Sequence, residues 1–186
     1  KLNMKNDMTI GKPGKLLIAF IIPLFISAVF QQLYTIFDSV IAGRAIGKDA
    51  LAAVGVSYPI TMIFMAVAIG SSMGASVVIS QLFGAKRYGE LKTAVSTALF
   101  AMLAISAVLT VVGKVASEEM LRFLGTPDNI LRDSTTYLDI YIYGLIFLFL
   151  YNVVTGIFQA LGNSQIPLFL LMGSSVGNII LDVVFV

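Results

Sequence analysis

At 186 residues with a net charge of +2, the chain has the length of one soluble domain, but it is 58% hydrophobic and only 12% charged. Soluble domains are about 25% charged, and with a mean hydropathy of +0.95 this composition excludes a soluble enzyme. It has no cysteine and no histidine, so disulfides, thiolate nucleophiles and the commonest neutral-pH base are absent, and any proton chemistry runs on carboxylates. It also lacks a G-x-x-x-x-G-K-[ST] phosphate loop, and the small net charge gives no nucleic-acid partner.

Uncharged runs cover positions 16–37, 50–85, 93–113 and 140–181, and each reaches the roughly 20 apolar residues that cross a bilayer as a helix. Positions 1–15 read as a cytoplasmic N-terminal segment. The first run is too long for a signal peptide and lacks a small-residue cleavage site, so it stays as an uncleaved helix over about 16–42. The second run measures about 54 Å as a helix at 1.5 Å per residue, too short for two spans and a turn. It predicts one long, tilted helix over 50–84, with Pro59 near its outer end and Gly84 as its cap. A third helix is expected over 90–113. The last run divides at Gly162-Asn163-Ser164-Gln165-Ile166-Pro167, a turn followed by a helix-starting proline, giving helices over 130–161 and 167–186. The fold class is an all-α membrane protein of five transmembrane helices.

Lys1, Lys5, Lys12, Lys15, Lys86, Arg87 and Lys92 fall on the N-terminal side of the spans, against Arg44, Lys48, Lys114, Arg122 and Arg132 on the other. Basic residues favour the cytoplasmic side, so the N-terminus is expected inside and the C-terminus outside. The chain stops at Val186 without a polar flank, which reads as part of a longer protein.

Two carboxylates fall in or near the spans, Asp38 and Asp182, and an ionisable group at membrane depth is a functional-site candidate. Counted along the helix axes, Asp38 lies about 33 Å from position 16 and Asp182 about 23 Å from position 167, so both fall in the outer half and could share a site. Asn178 and Asp182 stack at i,i+4. Ser27, Gln31, Tyr34 and Asp38 form one polar stripe, and Asn152, Thr155 and Gln159 another. Lipid satisfies neither stripe, so each faces a cavity or a neighbouring helix. Asp38 reads equally as a wet carboxylate at the interface, and Asn152 and Asn178 as hydrogen-bonding glue between helices. Pro23 is either a hinge or a static kink. Gly70-x-x-x-Gly74 and Gly173-x-x-x-Gly177 are spacings that let helices approach closely.

Three blocks carry a family resemblance. Asp38-Ser-Val-Ile-Ala-Gly43-Arg44-Ala-Ile-Gly47-Lys-Asp-Ala50-Leu-Ala-Ala-Val-Gly55 resembles the first-to-second-helix region of MATE (multidrug and toxic compound extrusion) transporters. Ser80-Gln-Leu-Phe-Gly84-Ala-Lys-Arg-Tyr-Gly89 is similar to their next loop. Gln159-Ala-Leu-Gly162-Asn-Ser-Gln-Ile-Pro167 with Gly177-Asn178-Ile-Ile-Leu-Asp182 is similar to their fourth-to-fifth-helix region. The resemblance implies part of the amino-terminal lobe of a twelve-helix transporter, with no enzyme activity and no cofactor, that exports amphipathic and often cationic drugs across the cell membrane by antiport. Its coupling ion would be a proton or sodium. Asp38, Asn178 and Asp182 would match the proton or sodium site, Gln31, Tyr34, Tyr137 and Asn152 the residues around the cavity, and Pro23 a first-helix hinge. The implied partners are membrane lipid, the substrates, and a second lobe or partner chain. Two alternatives stand: a flippase for lipid-linked oligosaccharides from the same superfamily, and a non-transporting membrane assembly module.

Overall fold

A computed structural model describes residues 13–45 and 48–185, excluding the side chains of 38, 39, 41–50 and 182–185. It consists of α1 (Pro13–Ala45), α2 (Lys48–Gly84), α3 (Tyr88–Phe123), α4 (Asp128–Tyr143), α5 (Leu145–Ala160) and α6 (Gln165–Phe185). At 33, 37 and 36 residues, the first three helices are longer than a hydrocarbon core of about 30 Å requires, so their ends stand beyond it or the helices tilt.

The core belongs to α2–α5. Ile60, Phe64, Met102, Leu121, Leu138, Ile142, Leu145 and Phe149 form one buried cluster, to which neither α1 nor α6 contributes. Polarity runs opposite to that of a water-soluble protein. The buried polar residues among those described are seven serines and Thr61, while Phe25, Phe100, Val115 and Phe147 are among many large apolar side chains facing outward. Small hydroxyls hydrogen-bond locally and let helix backbones approach, and lipid solvates the apolar exterior. The tightest approach is between α2 and α5. Ser72 Oγ donates to the Asn152 carbonyl at 2.7 Å, and a β-carbon on Gly156 would lie 2.5 Å from that Oγ.

Two expected helices differ from the observed ones. The third runs on past 113 to Phe123. Its extra turns are amphipathic, with Ser117 and Leu121 buried and Glu118 paired to Arg122 at 2.9 Å, so the charges that ended the apolar run did not end the helix. The expected 130–161 helix is broken at Gly144 into α4 and α5, bent by 45°. The Gly144 N–H bonds the Ile140 and Tyr141 carbonyls at 3.2 and 3.0 Å, and a side chain there would press on Tyr141 O at 3.2 Å. Beside the break, Thr110 Oγ1 donates to the Ile142 carbonyl at 3.3 Å. Such a satisfied bend makes the pair one composite crossing.

Three helices end in the same hydrogen-bonded motif. The N–H groups of Arg87, Thr126 and Asn163 reach back to the carbonyls of Leu82, Leu121 and Phe158, the six-to-one bond of a Schellman cap. That cap puts one residue in the left-handed region. Gly125 at φ 75° and Gly162 at φ 79° fill it in two cases, but Lys86 at φ 58° fills it after α2. The expected cap, Gly84, is still helical. A non-glycine residue there costs about 1–2 kcal/mol, partly offset by the freedom glycine adds to the unfolded chain. Lys86→Gly is therefore expected to raise stability by about 0.5–1 kcal/mol and Gly125→Ala to lower it by about 1 kcal/mol, measured by thermal unfolding in detergent.

A candidate ion site between the first and last helices

α1 packs chiefly on α6 and more lightly on α2, and most of its apolar surface is exposed. Its inward face follows the 3.6-residue period: Leu16, Phe20, Pro23, Ser27 and Tyr34 are half-buried or buried. Pro23 removes a backbone donor inside the helix, and Ser27 Oγ donates to the Pro23 carbonyl at 2.8 Å. One turn earlier, Ser164 Oγ donates to the Phe20 carbonyl at 3.1 Å. That bond pins the start of α6 to α1.

Register follows from the pin. As the first and fifth crossings, α1 and α6 run in the same direction. Asp38 lies 18 residues beyond Phe20 and Asp182 lies 18 beyond Ser164, each about 27 Å along its axis. Their backbones therefore stand at one level on neighbouring helices. Their side chains lie outside the described residues. Asn178 shares the level of Tyr34, one turn below. Asn178 Oδ1 is buried with no hydrogen-bond partner among the described residues. Buried acceptors are normally satisfied, and an amide oxygen suits either a proton donor or a hard cation.

The other expected site residues are spread further. Tyr34 is half-buried, whereas Gln31, on the same stripe, is exposed. Asn152, on α5, turns its Nδ2 back to the Leu148 carbonyl of its own helix at 2.8 Å, while its backbone carbonyl accepts from Ser72. Tyr137, on α4, is half-buried. Among the described residues α4 does not pack on α6, so Tyr137 stands apart from the α1–α6 pair. No group of three or more acidic residues able to hold a metal occurs among the described residues.

The MatE family model matches residues 23–184. The chain belongs to the MatE family. It is 35% identical over 162 residues to the probable multidrug resistance protein YoeA of Bacillus subtilis, covering 87% of this chain and 35% of YoeA. To YpnP, a probable multidrug resistance protein of the same organism, it is 28% identical over 180 residues, covering 97% of this chain and 40% of the relative. Its fold matches a crystal structure of a MATE protein in complex with MaD3S at a TM-score of 0.89 and 25% identity, over 96% of this chain and 40% of that one. The chain thus spans well under half the length of these relatives, and like them it is an integral membrane protein.

Two features of this MatE chain were not read from its sequence. Ser164 looked like one more turn residue, although it fixes the register of the two site helices. Lys114 looked like a flanking charge outside the third span, but it lies in α3 and hydrogen-bonds Asp139 of α4; Asp139 also accepts from Ser117 Oγ at 2.9 Å. The Asp139 side chain is 18% exposed, and a partly buried carboxylate stripped of its cation is worse than no pair at all. Lys114→Met is expected to lower the melting temperature more than the double variant Lys114→Met/Asp139→Leu, a ranking that calorimetry in detergent would check.

Proposed function

We propose that this chain supplies five membrane crossings of the amino-terminal lobe of a secondary antiporter that exports amphipathic, often cationic, drugs across the cell membrane. A proton or sodium ion drives it, and the N-terminus is cytoplasmic. The carrying observation is the parallel register of α1 and α6, which sets Asp38 and Asp182 at one height, with a buried, unpartnered amide oxygen one turn below. Two carboxylates and an amide can hold one small cation between them. Loading changes the relative stability of inward- and outward-facing states, and a substrate that competes for the same state is expelled. Alternating access needs a second body to move against, and a second lobe or partner chain provides it.

A flippase for anionic lipid-linked sugars would favour a basic cavity. Lys114, which lies within α3 beyond the expected end of the third span, is already neutralised by Asp139. The test is drug efflux by the complete transporter in proteoliposomes, with pH and sodium gradients imposed one at a time. Export should follow at least one gradient and stop when it is collapsed; export indifferent to both would overturn the proposal.

A further inference from the structure

We propose an internal water site on α4, beside the bend at Gly144, in which one water is held by the hydroxyls of Tyr141 and Tyr137. The Tyr141 phenolic oxygen is buried and has no hydrogen-bond partner among the described residues. Its ring packs on the apolar cluster of α2–α5, and neither bulk water nor a lipid headgroup reaches the oxygen. Buried hydroxyls are normally satisfied, and a bare one destabilises the fold.

Position selects the occupant. Asp139 is two residues from Tyr141, about 200° round an α-helix, and it faces Lys114 and Ser117 of α3. Tyr141 therefore lies on the opposite flank of α4. Tyr137 stands one turn away on that flank, close enough to act on it electrostatically. A phenolic oxygen both donates and accepts, so the occupant must do the same and be small enough for a packed interior. Water meets both needs. An ion does not, since two neutral phenols offer no charge to offset its desolvation. Tyr137 can take the water whatever else its ring contacts, because its oxygen has more than one bonding site. The consequence falls on the bend. The Tyr141 carbonyl accepts from the Gly144 N–H at 3.0 Å, so a water on the hydroxyl anchors the same residue that closes the last turn of α4.

Raman spectroscopy and thermal unfolding of the 186-residue protein in detergent test this. The variants are Tyr141→Phe, Tyr137→Phe and the pair together, which remove hydroxyls but keep both rings. The wild-type spectrum minus that of Tyr141→Phe isolates one phenol, and it is expected to show the tyrosine doublet of a hydrogen-bonded group. Tyr141→Phe should lower the melting temperature by about 2–4 °C, the shift for one lost hydrogen bond in a chain of this size. Tyr137→Phe should lower it less in the Tyr141→Phe background than alone, because the two hydroxyls share one water and do not bond each other. A higher melting temperature in Tyr141→Phe, or the doublet of a phenol without hydrogen bonds, would show a dry hydroxyl and overturn the site. Strictly additive losses would overturn it too, by showing that Tyr137 does not share the water. Neither measurement depends on transport, so this site and the antiporter reading stand or fall separately.

Discussion

Gly156→Leu is expected to destabilise the protein by about 3 kcal/mol, at the upper end of what overpacking costs. At this position α5 rests directly on α2. Even a single β-carbon would sit 2.5 Å from Ser72 Oγ, 3.4 Å from Ser72 O and 3.7 Å from Ser76 Cβ. Alanine fits only if the serine hydroxyl swings away and gives up its bond to the Asn152 carbonyl. That loss is about 1–2 kcal/mol, because the carbonyl is left without that donor in a site lipid cannot hydrate. Leucine cannot be accommodated by one rotamer change, so the helices must separate. The mechanism predicts a specific non-additivity. Ser72→Ala alone should cost about 1 kcal/mol, yet it should make Gly156→Ala less harmful by removing the atom that collides. Thermal unfolding of the four proteins of the cycle measures the coupling; strictly additive losses would show that the approach is not limited by that hydroxyl.

Asp38→Asn and Asp182→Asn should each reduce gradient-driven export by about one to two orders of magnitude in the complete transporter, the range that a coupling free energy of a few kcal/mol sustains. Asparagine keeps the size and hydrogen-bonding capacity of aspartate but cannot take up a proton or present a negative charge to sodium. The helices carrying both positions should still assemble, because the Ser164–Phe20 bond and the apolar faces of α1 and α6 do not involve them. Both variants should therefore reach the membrane in normal amounts and fail only in coupling. Quantified membrane protein beside initial efflux rates separates the two effects. Unchanged efflux in both variants would move the coupling ion elsewhere.

Much of this architecture was legible because lipid leaves a strong mark on sequence. Runs of about 20 apolar residues announce helices, and Gly162-Asn163 followed by Pro167 announced the turn into α6, where Asn163 Oδ1 accepts from the N–H groups of Gln165 and Ile166. The misses have a common cause. Hydropathy reports what a residue prefers as solvent, whereas helix ends and bends depend on backbone bonds. Thus α3 runs past Lys114 and the fourth crossing bends at Gly144. Glycine spacing misled in a related way. A β-carbon at Gly70, Gly74, Gly173 or Gly177 would meet nothing within 4 Å. The glycines that do permit close approach, Gly113 and Gly156, carry no such signature, since a contact between distant helices needs a small residue on one side only. Asp38, Asn178 and Asp182 stood out as polar groups at membrane depth; what aligns their helices is one serine hydroxyl, which no periodicity reveals.

The hydroxyl of Ser164 and the carbonyl of Phe20 are separated by 144 residues. A ribosome adding about 5–20 residues per second needs roughly 7–30 s to cover that distance. For most of that interval the first helix is complete and its main companion does not yet exist. Meanwhile the four segments between them can settle against one another without it. Helix α1 is thus fully seated only after the four helices that follow it are made, and slower translation between residues 20 and 164 prolongs the time it waits for its main companion.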